Sequence, residues 1–244
     1  SELRQTAARL AERVDAELQF EAILGHELRT PLLAIMSFAA LLKRNGMSMD
    51  RVKELAGYLE QDAERAQRLI DQLLDLDRVE SGRAPLLIER VNVYDALSQV
   101  VATLSPASPR HPFRLAGARD AVVLADRDRL IQVFTNLLVN AVKYSPDGGD
   151  VEIDVTSESG RVHVRVRDHG LGIPPTELER IFQKHTRIHT ARDIKGSGLG
   201  LQLVRAIVEL HGGRVWAESE GEGSGATLNV LLSGAPAVDA EAPR

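Results

Sequence analysis

The sequence predicts a multidomain chain, α followed by α+β: a helical hairpin that pairs with a second copy into a four-helix bundle, then a layered α/β sandwich. Three observations predict it. Apolar residues recur at heptad spacing from Leu3 to Leu76. From about Leu86 the periodicity changes to short strand-like runs separated by helical stretches. Those runs sit close together in pairs between helices, which fits a sandwich better than a doubly wound parallel sheet.

The 244 residues suffice for two ordinary domains, each with its own core. Hydrophobic residues make up 43% and charged residues 27%, as in soluble proteins, and aromatics at 4% leave the cores to Leu, Val, Ile and Ala. With 30 basic against 35 acidic residues the net charge is −5, and no basic stripe is interleaved with aromatics, so no nucleic-acid surface is expected. The absence of cysteine excludes disulfides, thiolate catalysis and Cys-ligated zinc within these residues. No apolar run reaches the ~18 residues of a membrane span and the charged N-terminus is no signal segment, so these residues are expected to be soluble, in keeping with the cytoplasm. Opening directly in a charged helical pattern, the chain reads as the C-terminal piece of a longer protein with an input region upstream.

The first seam runs Leu3, Ala7, Leu10 and Val14; a second register takes Leu18, Gly25, Leu28, Leu32, Ile35, Ala39 and Leu42, with Glu21 a weak position between the first two. The step from Val14 to Leu18 is a four-residue stutter, which locally unwinds a coiled coil and is a place for a signal to change helix packing. Residues 1–19 are therefore assigned to a signalling coiled-coil helix and 20–83 to the hairpin. Asn45-Gly46 breaks the pattern, and Asp50 is the expected N-cap of a second helix with the seam Val52, Leu55, Leu59, Ala66, Leu69, Leu73 and Leu76, interrupted at Asp62. Ser81-Gly82 and then Pro85 end it. One hairpin cannot bury so much apolar seam alone, so a homodimeric bundle is expected, against the alternative of a hairpin lying on its own second domain.

In the second domain, 86–233, strands are expected at Leu87–Val93, Ala121–Leu124, Val151–Val155, Val162–Val166, Arg214–Ala217 and Thr227–Leu231. Helices are expected at Tyr94–Leu104, Arg127–Tyr144, Pro175–Phe182 and Leu199–His211. Residues 234–244, rich in Ala, Pro and acid, read as a disordered tail or linker.

Four segments carry the chemistry. His26-Glu27-Leu28-Arg29-Thr30-Pro31 offers an imidazole nucleophile beside a carboxylate. Asn136, Asn140, Lys143 and Tyr144 share one helical face, with amide oxygens suited to Mg²⁺ and a cation suited to phosphate. Asp168-His169-Gly170-Leu171-Gly172-Ile173 follows a strand, its glycines permitting close backbone approach and its carboxylate able to accept from an exocyclic amine. Gly196-Ser197-Gly198-Leu199-Gly200-Leu201 opens an apolar helix whose N-terminal amides suit phosphate, without the Lys-Ser/Thr ending of a P-loop. Each also has a bland reading, as a solvated helix face or an ordinary turn.

In this order the segments resemble the sensor histidine kinases of two-component systems, with His26 in the phosphoacceptor box and a sandwich of the gyrase, histidine-kinase and MutL type. Glu179-Arg180-Ile181-Phe182, Gly223-Ser224-Gly225-Ala226-Thr227 and the stretch Leu73 to Gly82 extend the likeness over about Phe20 to Leu232. The resemblance implies ATP and Mg²⁺ as cofactors. It implies that Asn140 ligates the metal, that Asn136 and Lys143 lie near the phosphates, that Tyr144 flanks the nucleotide and that Asp168 reads the adenine amino group. Gly170, Gly172, Ile173, Gly198, Leu199, Gly200 and Thr227 would complete the nucleotide site. Residues from about Gln183 to Ser197 would form a lid, with Arg187, Lys195, Gly196 and Ser197 near phosphate. His185-Thr186 stand where the family commonly has a second aromatic pair.

The implied reaction is ATP-dependent phosphorylation of His26, Glu27 taking or stabilising the proton of the second ring nitrogen, then transfer to an aspartate of a response-regulator receiver domain. Thr30, one helical turn on, sits where relatives orient water to dephosphorylate the regulator. Two readings compete: an ATP-hydrolysing clamp of the same fold, disfavoured because Asn136 stands where clamps carry a glutamate, and a nucleotide-binding scaffold without kinase activity. His185 and His189 are i, i+4, but no third ligand at zinc spacing accompanies them.

Overall fold

The structure, a computed structural model, describes residue 25 and residues 27–43, 47–82, 85–183 and 198–236. The coiled-coil stretch 1–19, His26, Asn45-Gly46, His185, Thr186, Arg187, His189, Lys195, Gly196, Ser197 and the tail beyond residue 236 lie outside the described residues. Among those described, no helix is long and apolar enough to cross a membrane.

Helix α1 covers residues 27–42 and continues through Pro31, and α2 covers Met49–Glu80. They form the hairpin, with Phe38 and Tyr58 stacked at 5.6 Å between ring centroids. The cap of α2 corrects the expectation at Asp50: the Ser48 hydroxyl accepts from Arg51 N, so the helix begins at Met49 and Asp50 falls in its first turn, where its charge complements the helix dipole. Ser81 is the C-cap, followed by Gly82 at φ 65°, as the Ser-Gly pair predicts. Along α2 the seam residues Leu55, Ala66, Leu69 and Leu76 are buried. Gly25, just before α1, is exposed in a single chain, and along α1 Leu32, Leu33 and Met36 are more than half exposed.

The sandwich follows as β1 (Ile88–Asn92), α3 (Val93–Leu104), β2 (Phe113–Gly117), β3 (Val122–Asp126), α4 (Arg127–Lys143), β4 (Val151–Glu158), β5 (Arg161–Asp168), α5 (Leu199–Leu210), β6 (Arg214–Glu218) and β7 (Ala226–Ser233). Strands β1 and β3 pair antiparallel as a separate ribbon; the main sheet has the order β2-β4-β5-β7-β6. Within it β2 and β4 are parallel and the other pairs antiparallel. Alternation sets which face is covered: Val162, Val164 and Val166 of β5 are buried, whereas Arg161, Arg165 and Arg167 on the other face meet solvent. The covered face packs against helices whose largest residues, Leu97, Phe134, Leu137, Leu138, Leu203 and Ile207, are fully buried.

Two expectations change. Strand β2 has no counterpart in the sequence reading. The segment expected as a helix, Pro175–Phe182, is instead two single 3₁₀ turns, Pro175–Glu177 and Arg180–Phe182, too short for the i→i−4 ladder of an α-helix.

The hairpin and the sandwich meet through the C-terminal half of α2. Leu76 and Val79 join the sandwich core. Beside them Asp75 accepts from Arg129 Nη1 at 3.1 Å and from Gln132 Nε2 at 2.8 Å, both on the first turns of α4. Helix α4 is itself anchored by Asp126, which accepts from Arg129 N at 3.1 Å and from Leu87 N at 3.0 Å. Burial opposes ionisation of Asp126, but the N–H groups of Leu87, Arg129 and Asp128 prevail and hold its carboxyl below the ordinary value.

Candidate functional site

A cavity of about 400 Å³ opens between the hairpin and the sandwich. One wall is a face of α4, where Asn136, Asn140 and Tyr144 form one i, i+4 row and Thr135, Val139 and Lys143 the next. Asn136 Nδ2 donates to Gln132 O at 2.9 Å, fixing the amide, while Asn140 has no side-chain hydrogen bond among the described residues. Lys143 folds over the Tyr144 ring, its Nζ 4.6 Å from the centroid and 3.1 Å from Oη.

The floor comes from the end of β5 and the turn after it. Asp168 is 5% exposed; its Oδ1 accepts from Gly170 N at 2.9 Å and Ala226 N at 3.3 Å, and its other oxygen has no hydrogen bond among the described residues. Burial pushes this carboxyl above its ordinary value, against those two N–H groups, which favour the charged form. Gly172, at φ 70°, has no room for a side chain, since a Cβ would lie 1.9 Å from Gly221 O. The Ser219 hydroxyl accepts from Ile173 N at 3.0 Å and donates to Gly225 O at 2.7 Å, binding that turn to the glycine-rich one before β7.

The far wall is the start of α5, where Gly198 and Gly200 border the cavity. At residue 200 a Cβ would stand 2.9 Å from Asn136 Oδ1, so any larger residue there must displace the Asn136 amide. The roof belongs to the hairpin: Glu27 of α1 with Arg65, Arg68, Leu69 and Gln72 of α2.

The Asn140 amide and the second Asp168 oxygen, which make no side-chain hydrogen bond among the described residues, a cation one turn away and a close-packed glycine helix start are groups suited to a nucleotide. Comparison with known proteins agrees. Residues 16–82 match the His Kinase A (phospho-acceptor) domain, and residues 125–234 match the histidine kinase-, DNA gyrase B- and HSP90-like ATPase. The chain belongs to the sensor histidine kinases. It is 34% identical over 229 residues to sensor histidine kinase WalK of Bacillus subtilis, covering 91% of this chain and 37% of that protein. The chain thus spans little more than a third of that relative. The structure of full-length ShkA in complex with AMPPNP superposes with a TM-score of 0.67 at 28% identity, over 89% of this chain and 46% of ShkA. Histidine kinase ThkA, in complex with response regulator protein TrrA, shares the fold with a TM-score of 0.69 at 22% identity, over 97% of this chain and 68% of ThkA.

In this kinase core Asn136, Asn140, Lys143, Tyr144, Asp168, Gly172, Ile173, Gly198 and Gly200 meet at one cavity with Glu27. Other expected residues stand off it. Gly170 acts from behind, through its N–H to Asp168. Leu199 is buried in the core at 1% exposure. Thr227 also stands off it: strand alternation sends it to the opposite face of β7, while its neighbours Ala226 and Leu228 line the cavity. Thr30 is exposed on α1 and does not line the cavity.

The apolar lining of Val139, Leu171, Ile181, Leu201 and Leu228 and the hairpin cations Arg65 and Arg68 were not foreseen. The i, i+4 rule applied to Lys143 reaches Val139 and Thr135; in the roof, sequence reached Glu27 but gave no signal for Arg65 and Arg68. Two histidines are tied into the framework. His211 Nδ1 lies 2.8 Å from Ile207 O and its Nε2 accepts from Asp126 N at 3.0 Å, and His111 Nε2 lies 2.8 Å from Ser145 O.

Proposed function

We propose that this chain binds ATP with Mg²⁺ in the cavity and transfers the γ-phosphoryl group to His26, acting as the catalytic core of a histidine kinase. The observation that carries the reading is that Glu27, the residue after His26, lines the same cavity as Asn136, Asn140 and Asp168, although more than a hundred residues separate them. In the sandwich, Asp168 accepts from the adenine amino group and Tyr144 flanks the nucleotide. Asn136 and Lys143 serve the phosphates, as would Arg187, Lys195, Gly196 and Ser197. Asn140 would hold Mg²⁺, which when bound offsets phosphate charge.

In the transfer a ring nitrogen of His26 bonds to the γ-phosphorus while the bond to the bridging oxygen of ADP breaks. The proton on the other ring nitrogen passes to the Glu27 carboxylate. The products are phosphohistidine and ADP. Passage of the phosphoryl group from His26 to an aspartate of a receiver domain belongs to the same reading, as does regulator dephosphorylation through the exposed Thr30.

We further propose a homodimer with domains at 20–83 and 86–233. Supporting it, Leu32, Leu33 and Met36 of α1 and Ile70 and Leu74 of α2 are 41–67% exposed in one chain, more apolar surface than a hairpin leaves in water without a partner.

Incubation with γ-labelled ATP tests the reaction. Acid-labile, alkali-stable label, absent from His26→Gln, is the expected result. Steady ATP turnover with unlabelled protein identifies a hydrolysing clamp, and nucleotide binding without either identifies a scaffold.

A further inference from the structure

We infer that Arg65, on the second helix of the hairpin, is a positioning residue for phosphoryl transfer: it fixes the Glu27 carboxylate at the nucleotide cavity. The inference rests on the reading of Glu27 as the proton acceptor. Arg65 Nη2 donates to Glu27 Oε2 at 3.3 Å across the hairpin, joining residues 38 apart in sequence. The Glu27 side chain is 9% exposed and that of Arg65 29%, and both border the cavity that Asn136, Asn140 and Asp168 border from the other side.

Burial decides what such a pair does. A carboxylate withdrawn from water loses hydration it cannot recover from apolar neighbours, so a cation beside it both offsets that loss and restricts its rotamers. The other ion pairs on α2 contrast with it. Arg51 with Glu54 and Arg68 with Glu64 are pairs within one helix with side chains 45–64% exposed, worth little in place or energy. Only the Arg65 pair, among the ion pairs within the described hairpin, ties α1 to α2.

A proton acceptor must be held within hydrogen-bond reach of the imidazole as that ring gains positive charge. Displacement of a catalytic group by about 1 Å costs on the order of 100-fold in rate. Arg65 supplies the restraint from the helix opposite the nucleophile. The α1–α2 spacing and the base position therefore change together.

The test measures autophosphorylation by the whole chain with γ-labelled ATP, as the maximal single-turnover rate and the ATP concentration at half-saturation, for Arg65→Met, Arg65→Gln, Arg65→Lys, Glu27→Gln and the Glu27→Gln/Arg65→Met double variant. The neutral Arg65 variants should lose about tenfold or more in maximal rate, a part of the roughly 100- to 10,000-fold that a general base supplies, with half-saturating ATP changed less than about twofold. Arg65→Lys should recover most of the rate. Arg65→Met should cost nothing further in the Glu27→Gln background.

Wild-type rates in the neutral Arg65 variants, with Glu27→Gln impaired, would overturn the role of Arg65 alone. So would an equal further loss in the double variant, which places Arg65 on the phosphates instead. A wild-type rate in Glu27→Gln would overturn the underlying base assignment. If Arg65→Met does not fold, the comparison between Arg65→Gln and Arg65→Lys decides: equal rates overturn the inference.

Discussion

Replacing Gly200 by alanine should separate folding from nucleotide binding. The residue lies in the first turn of α5, where alanine is favoured over glycine by up to about 1 kcal/mol. The added methyl, however, would fall 2.9 Å from Asn136 Oδ1. Backbone on both sides is held in helices, so the Asn136 amide is the part that yields, and it leaves its 2.9 Å bond to Gln132 O. That loss is about 1 kcal/mol, so the two terms nearly cancel and the melting temperature should move by less than about 4 °C. Binding has no such compensation, because the displaced amide is part of the wall. Calorimetric titration with ATP and Mg²⁺ should show about tenfold weaker affinity, or 1.4 kcal/mol. In an Asn136→Ala background the methyl has room, so adding Gly200→Ala should weaken binding no further. Affinity within twofold of wild type in Gly200→Ala, or an additive double variant, would refute the close contact as the reason for glycine.

Asp168→Asn should weaken ATP binding by about tenfold or more while raising apo stability at neutral pH, since it keeps an oxygen for Gly170 N and Ala226 N and removes a buried charge. Because burial raises the Asp168 value, its destabilising charge builds up as pH rises from about 3.8 through the folded value, and ATP affinity should fall on acidification earlier than for an ordinary carboxylate; titration calorimetry across pH, with Asp168→Asn flat, checks this. Asp126→Ala should cost about 1–2 kcal/mol in denaturant unfolding by removing the cap of α4. The folded value of Asp126 lies below 3.8, so its contribution is complete above that pH and is lost as pH falls through the folded value. Asp75→Ala should remove two partly buried contacts between α2 and α4, seen as faster proteolysis between residues 80 and 88 with the sandwich intact; unchanged cleavage kinetics would count against a docking role.

Much of this was readable from local pattern. The seam of α2, the Ser81-Gly82 stop and the alternation of β5 are rules acting over a few residues, and the structure follows them. Asn136, Asn140, Lys143 and Tyr144 were legible for the same reason, since one helical face is fixed by spacing alone. Strand β2 was not, because Phe113–Gly117 is a short run ending in Ala-Gly, and what makes it a strand is a parallel partner, β4, some 38 residues away in register. Thr227 shows a finer limit: a glycine-rich motif points to a turn but not to which alternate residue of the following strand faces the ligand. Arg65 shows the coarser one. Its spacing marks it as an ordinary helix cation, and only the approach of two domains makes it part of a cavity.

The cavity has walls from both halves of the chain, and thermodynamics attaches a condition to that. Any rearrangement of α1 against α2 that changes the affinity for ATP by some factor must itself be shifted by ATP through the same factor. A nucleotide bound there would therefore act on the hairpin as well as on the sandwich that holds it. Whatever shifts α1 against α2 and the nucleotide concentration would then act on one equilibrium, so neither could change without altering the response to the other.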